Sequence, residues 1–452
     1  MKHFILPWYT TILSVACFSQ SNNYKPKLDS FFNQVAVHNK AMGSLAIAKN
    51  GQLQYSKTFG YSLYNNDQKI PTTKNSIYRT GSISKIFTAV IIFQLIEEGK
   101  ITLATTLETY FPRFPYASEI TVSHLLNHRS GIRNMTEVAS KEKSRTHEEM
   151  LAIITQRPPK YKPGVKSYYS NCNFLLLGYL IEKICNKSYS TVLLERIISP
   201  LGLLNTFYGD SSASKNNLAL PYKFINNWQL QPQTDLSIPG ASGGIVSTPN
   251  DLLIFIQALF SKKMVNESSL THMTTVTNGY GMGFLEFEFH NKKALGYTGG
   301  IDEYESVLAY FPEDSLAVAY CSNGHAYPTR SIVVGAMNIF FGKNYSIPDF
   351  ETYALKKAIL KKYTGEYASS EIPVRIKIIR KKQILVAEPT GYSSYPLVTV
   401  GRNKFKNDEA SVTLEFNLKN NSMTLQRDNR SYTFVKNKYP ALYHNQPERL
   451  KK

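Results

Sequence analysis

The chain of 452 residues is poor in cysteine, short of acid and without a long apolar run. After Cys17, only Cys172, Cys185 and Cys321 remain in its body. An odd number, with two of the three inside apolar helical patterns, argues against a disulfide framework and for buried free thiols. Acidic residues number 33 against 52 lysines and arginines, for a net charge of +19. The imbalance is concentrated from Glu351 to Lys452, where 20 basic residues face 9 acidic ones. Such a tail is either a solvated basic face or a surface drawn to an anionic envelope polymer or membrane. Nucleic acid is an improbable partner, since neither zinc-finger spacing nor an RNA-binding aromatic signature occurs. No internal repeat and no low-complexity tract interrupts the chain.

The apolar start, MKHFILPWYTTILSVACF, is too brief and too broken by Pro7 to span a bilayer. It reads as a secretory signal peptide over residues 1–20, so the protein is expected to be exported, periplasmic or extracellular. Two ways of processing stay open: a cut near Ser19, or a lipid anchor on Cys17, because LSVAC resembles a relaxed lipoprotein box. With 42% hydrophobic and 19% charged residues, the chain as a whole has an ordinary globular composition and is long enough for a large core.

What is present is ordered by periodicity. Leu28, Phe31, Phe32 and Val35 mark a helix, and GSLAIAKNGQLQYSKTFGYS marks a hairpin around Asn50 and Gly51. From Ser82 to Glu98 apolar residues cover most of a helix, which implies a core helix ended by Gly99. Further helical patterns occupy Val122–Asn127, Phe174–Ile184 and Pro249–Phe260. EFEFHNKKALGYTGG and YESVLAYFPEDSLAVAYCSN return to strands, which could join the early hairpin in one antiparallel sheet. Short alternating segments after Tyr363 predict a small all-β appendage. The expected organisation is a main domain over 24–345, a linker over 346–355 and a basic β-rich domain over 356–452.

Three Ser-x-x-Lys spacings occur: Ser82 with Lys85, Ser140 with Lys143 and Ser212 with Lys215. Only the first opens a buried helix, where residues three apart share a face and Lys85 lies one turn from the Ser82 hydroxyl. A desolvated lysine can take the serine's proton, and the helix N-terminus offers free N–H groups to an oxyanion. Serving merely as an N-cap would explain the serine, but not a lysine entering an apolar helix. In PGVKSYYSNCNF, Tyr169 and Asn171 are two apart in an extended loop, so a phenol and an amide can share one side. In GYTGGIDEYES, glycines around Thr298 permit close backbone approach, as a simple tight turn would also require. His124 and His128 in HLLNH have helical i, i+4 spacing, but Leu125 stands where a zinc peptidase carries its glutamate, so no metal is expected.

In order and spacing, SISK, YSN and YTGG resemble the serine β-lactamase and penicillin-binding-protein superfamily, in the class C β-lactamase, D-alanyl-D-alanine carboxypeptidase and esterase branch. The likeness extends to ITVSHLLNHRSGI, PLGLLNTFY, SGGIVSTPNDLLIF and YGMGF, covering about residues 28 to 340. It implies an α+β (α/β/α) fold with an antiparallel sheet and a helical subdomain, and no cofactor. By resemblance, Ser82 is the acylated nucleophile, Lys85 its activating partner and Tyr169 the proton shuttle. Asn171, Tyr297, Thr298 and Gly299 would contact substrate, and the backbone N–H groups of Ser82 and Gly300 would form the oxyanion hole. Tyr297 departs from the pattern: the branch carries Lys or His there, and a phenol cannot clamp a carboxylate with positive charge. The implied function is an envelope serine hydrolase of D-Ala-D-Ala peptidase or esterase type acting on a peptide or small-molecule substrate. A class C-type β-lactamase and a catalytically weak binding or scaffolding protein are the alternatives.

Overall fold

A computed structural model describes residues 24–437, apart from 136–142, 210–216, 226, 346, 349, 351–354, 356, 382–383, 408–409 and 428–429. The proposed signal segment, Cys17, Ser140, Ser212 and Lys215 therefore lie outside the described residues.

The early hairpin, Ala41–Lys49 with Gln52–Phe59, joins the late strands Leu285–Phe289, Lys292–Ile301, Tyr304–Phe311 and Leu316–His325. The seam is the antiparallel pairing of Ala41–Lys49 with Leu316–His325, in which Leu45 faces Tyr320 and Ala46 faces Ala319. Sequence neighbours alternate between faces, so each face builds its own core. Leu45, Ile47, Val318 and Tyr320 pack beneath the helices Tyr24–Val37 and Thr329–Phe340. Ala46, Ala48, Ala317, Ala319 and Cys321 turn the other way, against the helices Ser84–Glu97, Asn171–Cys185 and Pro249–Phe260. The small side chains on that face let Pro249–Phe260 lie close on the sheet.

The helices start where their chemistry directs. Thr248 accepts from the Asp251 N–H and Pro249 occupies the first turn of Pro249–Phe260. Thr121 caps Val122–Leu126 reciprocally with His124. Ser84–Glu97 is buried on nearly every side, as its apolar composition requires. Cys172, Cys185 and Cys321 are free thiols, two of them buried.

After Tyr363, eight strands from Gly365–Ala368 to Arg430–Lys436 pair in sequence order, and the last closes on the first as a barrel. Alternation puts Ile376, Ile378, Leu414 and Phe416 inside and leaves Arg375, Lys377 and Glu415 outside. No helix among the described residues is long and apolar enough to cross a membrane.

Candidate active site

Ser82 lies in a single 3-10 turn, Gly81–Ile83, from which the buried helix Ser84–Glu97 continues. That turn aims the Ser82 Oγ toward the Lys85 Nζ at 2.9 Å. Lys85 is 0% exposed. Its Nζ also donates to the Asn171 Oδ1 and to the Ser242 carbonyl, both at 2.8 Å. Burial holds the ammonium well below its ordinary lysine range. Two of the three neighbours are oxygens that only accept. A neutral amine spends its two N–H bonds on them and presents its lone pair to the Ser82 hydroxyl.

Ser170 is extended and Asn171 begins the next helix, so Tyr169 and Asn171 meet on the same side of the chain. The Tyr169 hydroxyl is 2.6 Å from the Ser82 Oγ and donates to the Asn171 Oδ1 at 3.0 Å. Burial raises the Tyr169 phenol above its ordinary value, while the Ser82 contact pulls the other way. The lysine and the phenol are thus both driven toward their neutral forms around one serine.

The third wall is the strand Lys292–Ile301. Its neighbour Leu285–Phe289 pairs with it only as far as Gly296, leaving that edge of Tyr297–Gly300 uncovered beside Ser82. Two glycines permit the approach. A Cβ on Gly299 would lie 1.9 Å from the Thr80 carbonyl oxygen, and one on Gly81, at φ +52, would lie 2.8 Å from the Gly300 nitrogen. Beneath this contact Arg79 pairs with Asp302 at 3.2 Å, with side chains 1% and 9% exposed.

Ser82, Asn171 and Gly300 border two cavities. One, of about 570 Å³, extends toward Lys223, Glu303, Glu305 and His325. The other, of about 630 Å³, is walled by Tyr169, Tyr280, Tyr297 and Thr298. Of the residues singled out from sequence, Ser82, Lys85, Tyr169, Asn171, Tyr297, Thr298 and Gly300 converge here. Gly299 lines neither cavity and packs against Thr80 and Ser306. His124 and His128 do not share a helical face, because the helix ends at Leu126 and His128 adopts φ +57. His124 caps that helix, whereas His128 contacts the Tyr297 hydroxyl. The Ser242 carbonyl, Tyr280 and His128 were not among the expected site residues.

An antiparallel sheet flanked by helices, with Ser, Lys and Tyr clustered at an open strand edge, is the architecture of a serine hydrolase. The Beta-lactamase family profile matches residues 31–333, and the chain belongs to that family. Penicillin-binding protein 4* of Bacillus subtilis (strain 168) is 24% identical over 430 residues, 88% of this chain and 94% of that protein. Teichoic acid D-alanine hydrolase of Staphylococcus aureus is 31% identical over 309 residues, 64% of this chain and 74% of that one. The octameric penicillin-binding protein homologue from Pyrococcus abyssi superposes with a TM-score of 0.65 at 25% identity, over 91% of this chain and 99% of that one.

Proposed function

We propose that the protein is an exported hydrolase that cleaves D-alanyl esters or amides through an acyl intermediate on Ser82. The observation that carries the reading is the buried Lys85, whose Nζ meets two obligate acceptors and the Ser82 Oγ while burial holds its pKa well below the ordinary lysine range. The Ser82 Oγ attacks the substrate carbonyl carbon while its proton passes to the Lys85 Nζ. The tetrahedral oxyanion is received by the backbone N–H groups of Ser82 and Gly300. Collapse breaks the bond to the leaving group, to which Tyr169 supplies a proton, and water later releases the acyl group from Ser82. Asn171 orients both Lys85 and Tyr169 from one oxygen. The open edge at Tyr297–Gly300 offers an extended substrate main-chain pairing, with Thr298 beside it.

Tyr297 supplies no cation for a substrate carboxylate, which favours D-alanyl esters and amides over β-lactams. The likeness to a teichoic acid D-alanine hydrolase points the same way. The basic exterior of the barrel is assigned to attachment at an anionic envelope surface, apart from the chemistry. Labelling with a fluorophosphonate, beside a panel of D-alanyl esters, D-Ala-D-Ala peptides and β-lactams, tests the reading. Wild-type protein should label and turn over D-alanyl substrates, and Ser82→Ala should do neither while keeping its fold. Turnover retained by Ser82→Ala would overturn the assignment.

A further inference from the structure

His128 is 1% exposed and takes no part in the steps above. Its ring Nδ1 lies 3.3 Å from the Ser170 main-chain nitrogen and 3.2 Å from the Asn173 Nδ2. A peptide N–H can only donate, so the Ser170 contact alone makes Nδ1 an acceptor. Asn173 agrees: the Ser130 hydroxyl donates to its Oδ1 at 2.6 Å, and the Ile132 N–H donates to Ser130 at 3.1 Å, which turns the Asn173 amide nitrogen to the imidazole. A neutral ring with Nδ1 accepting carries its proton on Nε2. That nitrogen is 3.3 Å from the Tyr297 hydroxyl, which must then accept from His128 and send its own proton onward. The Tyr169 phenol stands in the wall of the same cavity as Tyr297, and the Lys85 Nζ lies 5.1 Å from the Tyr169 ring and 5.9 Å from the Tyr297 ring, so the Tyr169 oxygen is the acceptor on offer there.

We propose that His128 and Tyr297 are positioning residues that transmit one hydrogen-bond direction, set by main-chain N–H groups, to the Tyr169 oxygen, so that Tyr169 receives a donor as it gains charge during proton transfer. Tyr297 occupies the place where the family pattern puts a cation, and with His128 behind it supplies a directed hydrogen bond without adding charge beside Lys85. This assignment rests on the hydrolase reading for its purpose, but the direction of the bonds does not.

Two measurements on the full-length protein decide it. Nitrogen-15 NMR of the His128 ring should show the proton on Nε2 at neutral pH, and a proton on Nδ1 would overturn the proposal whether or not the protein is active. In kinetics, Tyr297→Phe keeps the ring and removes the donor. It should lower kcat for an alkyl D-alanyl ester by about tenfold to a hundredfold, the size of losing a hydrogen bond to a charged group, with KM unmoved. An activated nitrophenyl ester, whose leaving group needs no proton, should be slowed less. Equal slowing of both esters would also overturn it. Wild-type protein inert toward every ester would instead count against the hydrolase reading, with the ring tautomer still deciding this one.

Discussion

The hydrolase layer and the barrel solve the same packing problem with opposite treatment of polar groups. Around Ser82 the chain buries a lysine, a histidine, an arginine and an asparagine almost completely: Lys85, His128, Arg79 and Asn173 are each at most 1% exposed. In the barrel, the polar side chain buried among the described residues is Asn407, and it is held at both ends, donating to the Pro396 carbonyl and accepting from the Ala410 N–H. Burying a polar group without matched partners costs stability, so a core that needs only to fold leaves such groups out. The hydrolase layer keeps them and surrounds each with fixed donors and acceptors. Where polarity is retained inside a fold, its placement is the part that chemistry requires.

The largest expected contrast comes from one substitution in each core. Lys85→Met matches length and removes the amine, so kcat/KM should fall by about a thousandfold or more. Thermal stability should move by only about a few degrees, because relief of desolvation is offset by two oxygens losing their donor. Leu414→Ala, at a 0% exposed barrel position, should do the reverse: about 2–5 kcal/mol of barrel stability lost with kcat/KM unchanged. Melting curves and ester kinetics on both variants check the pair. Loss of activity in Leu414→Ala would show that the barrel shapes the site.

The two regions were also unequally legible in sequence. Ser84–Glu97 announces itself through apolar residues on all faces, and Pro249–Phe260 through its helical apolar pattern, because these signals are local. Barrel closure is not local: alternation predicts strands such as Arg375–Lys381, but nothing in the chain states that Gly365–Ala368 meets Arg430–Lys436. Within the site, Ser82 and Lys85 stood out because side-chain type and spacing on a buried helix carry their chemistry, whereas Tyr169 and Asn171 stood out through the family resemblance. The Ser242 carbonyl has no side-chain signature. His128 was hidden by its setting in HLLNH, whose spacing reads as one helix although the chain turns left-handed at that residue.

An intermediate effect is expected from acid. Burial, and then the nearby Lys85, press the His128 imidazole down from 6.5 to about 3. The folded state therefore keeps this ring neutral while the unfolded chain binds a proton below about pH 6.5. Stability contributed here is present above that value and is lost as pH falls, at up to about 1.4 kcal/mol per unit, until the folded ring protonates. His128→Gln can accept from Ser170 and donate to Tyr297, so it should flatten the acid slope between about pH 6.5 and 3 while retaining most activity. Denaturant unfolding across that range measures it, and an unchanged slope would mean that other groups govern acid stability.

The smallest effect belongs to the barrel surface, and it sharpens the comparison because the residue types are shared with the core. Arg375 lies 3.6 Å from Glu366 on the barrel wall, with side chains 63% and 29% exposed. Arg79 lies 3.2 Å from Asp302 beneath the Gly81–Gly300 contact, with side chains 1% and 9% exposed. Distance barely separates the two pairs, but solvent does. On the wall, water replaces each partner's interactions and the long arginine side chain loses freedom when fixed, so Arg375→Ala should shift stability by less than about 1 kcal/mol. Added salt should shrink even that, since screening acts on exposed charge. The Asp302 side chain is only 9% exposed, so removing Arg79 leaves its carboxylate little solvent to replace the ion pair, and Asp302 also accepts from the Thr234 N–H and hydroxyl beside the cavity. A barrel pair costing as much as a buried one would mean that the wall is shielded from solvent by another surface, and the division between a polar core and a polar exterior would have to be redrawn.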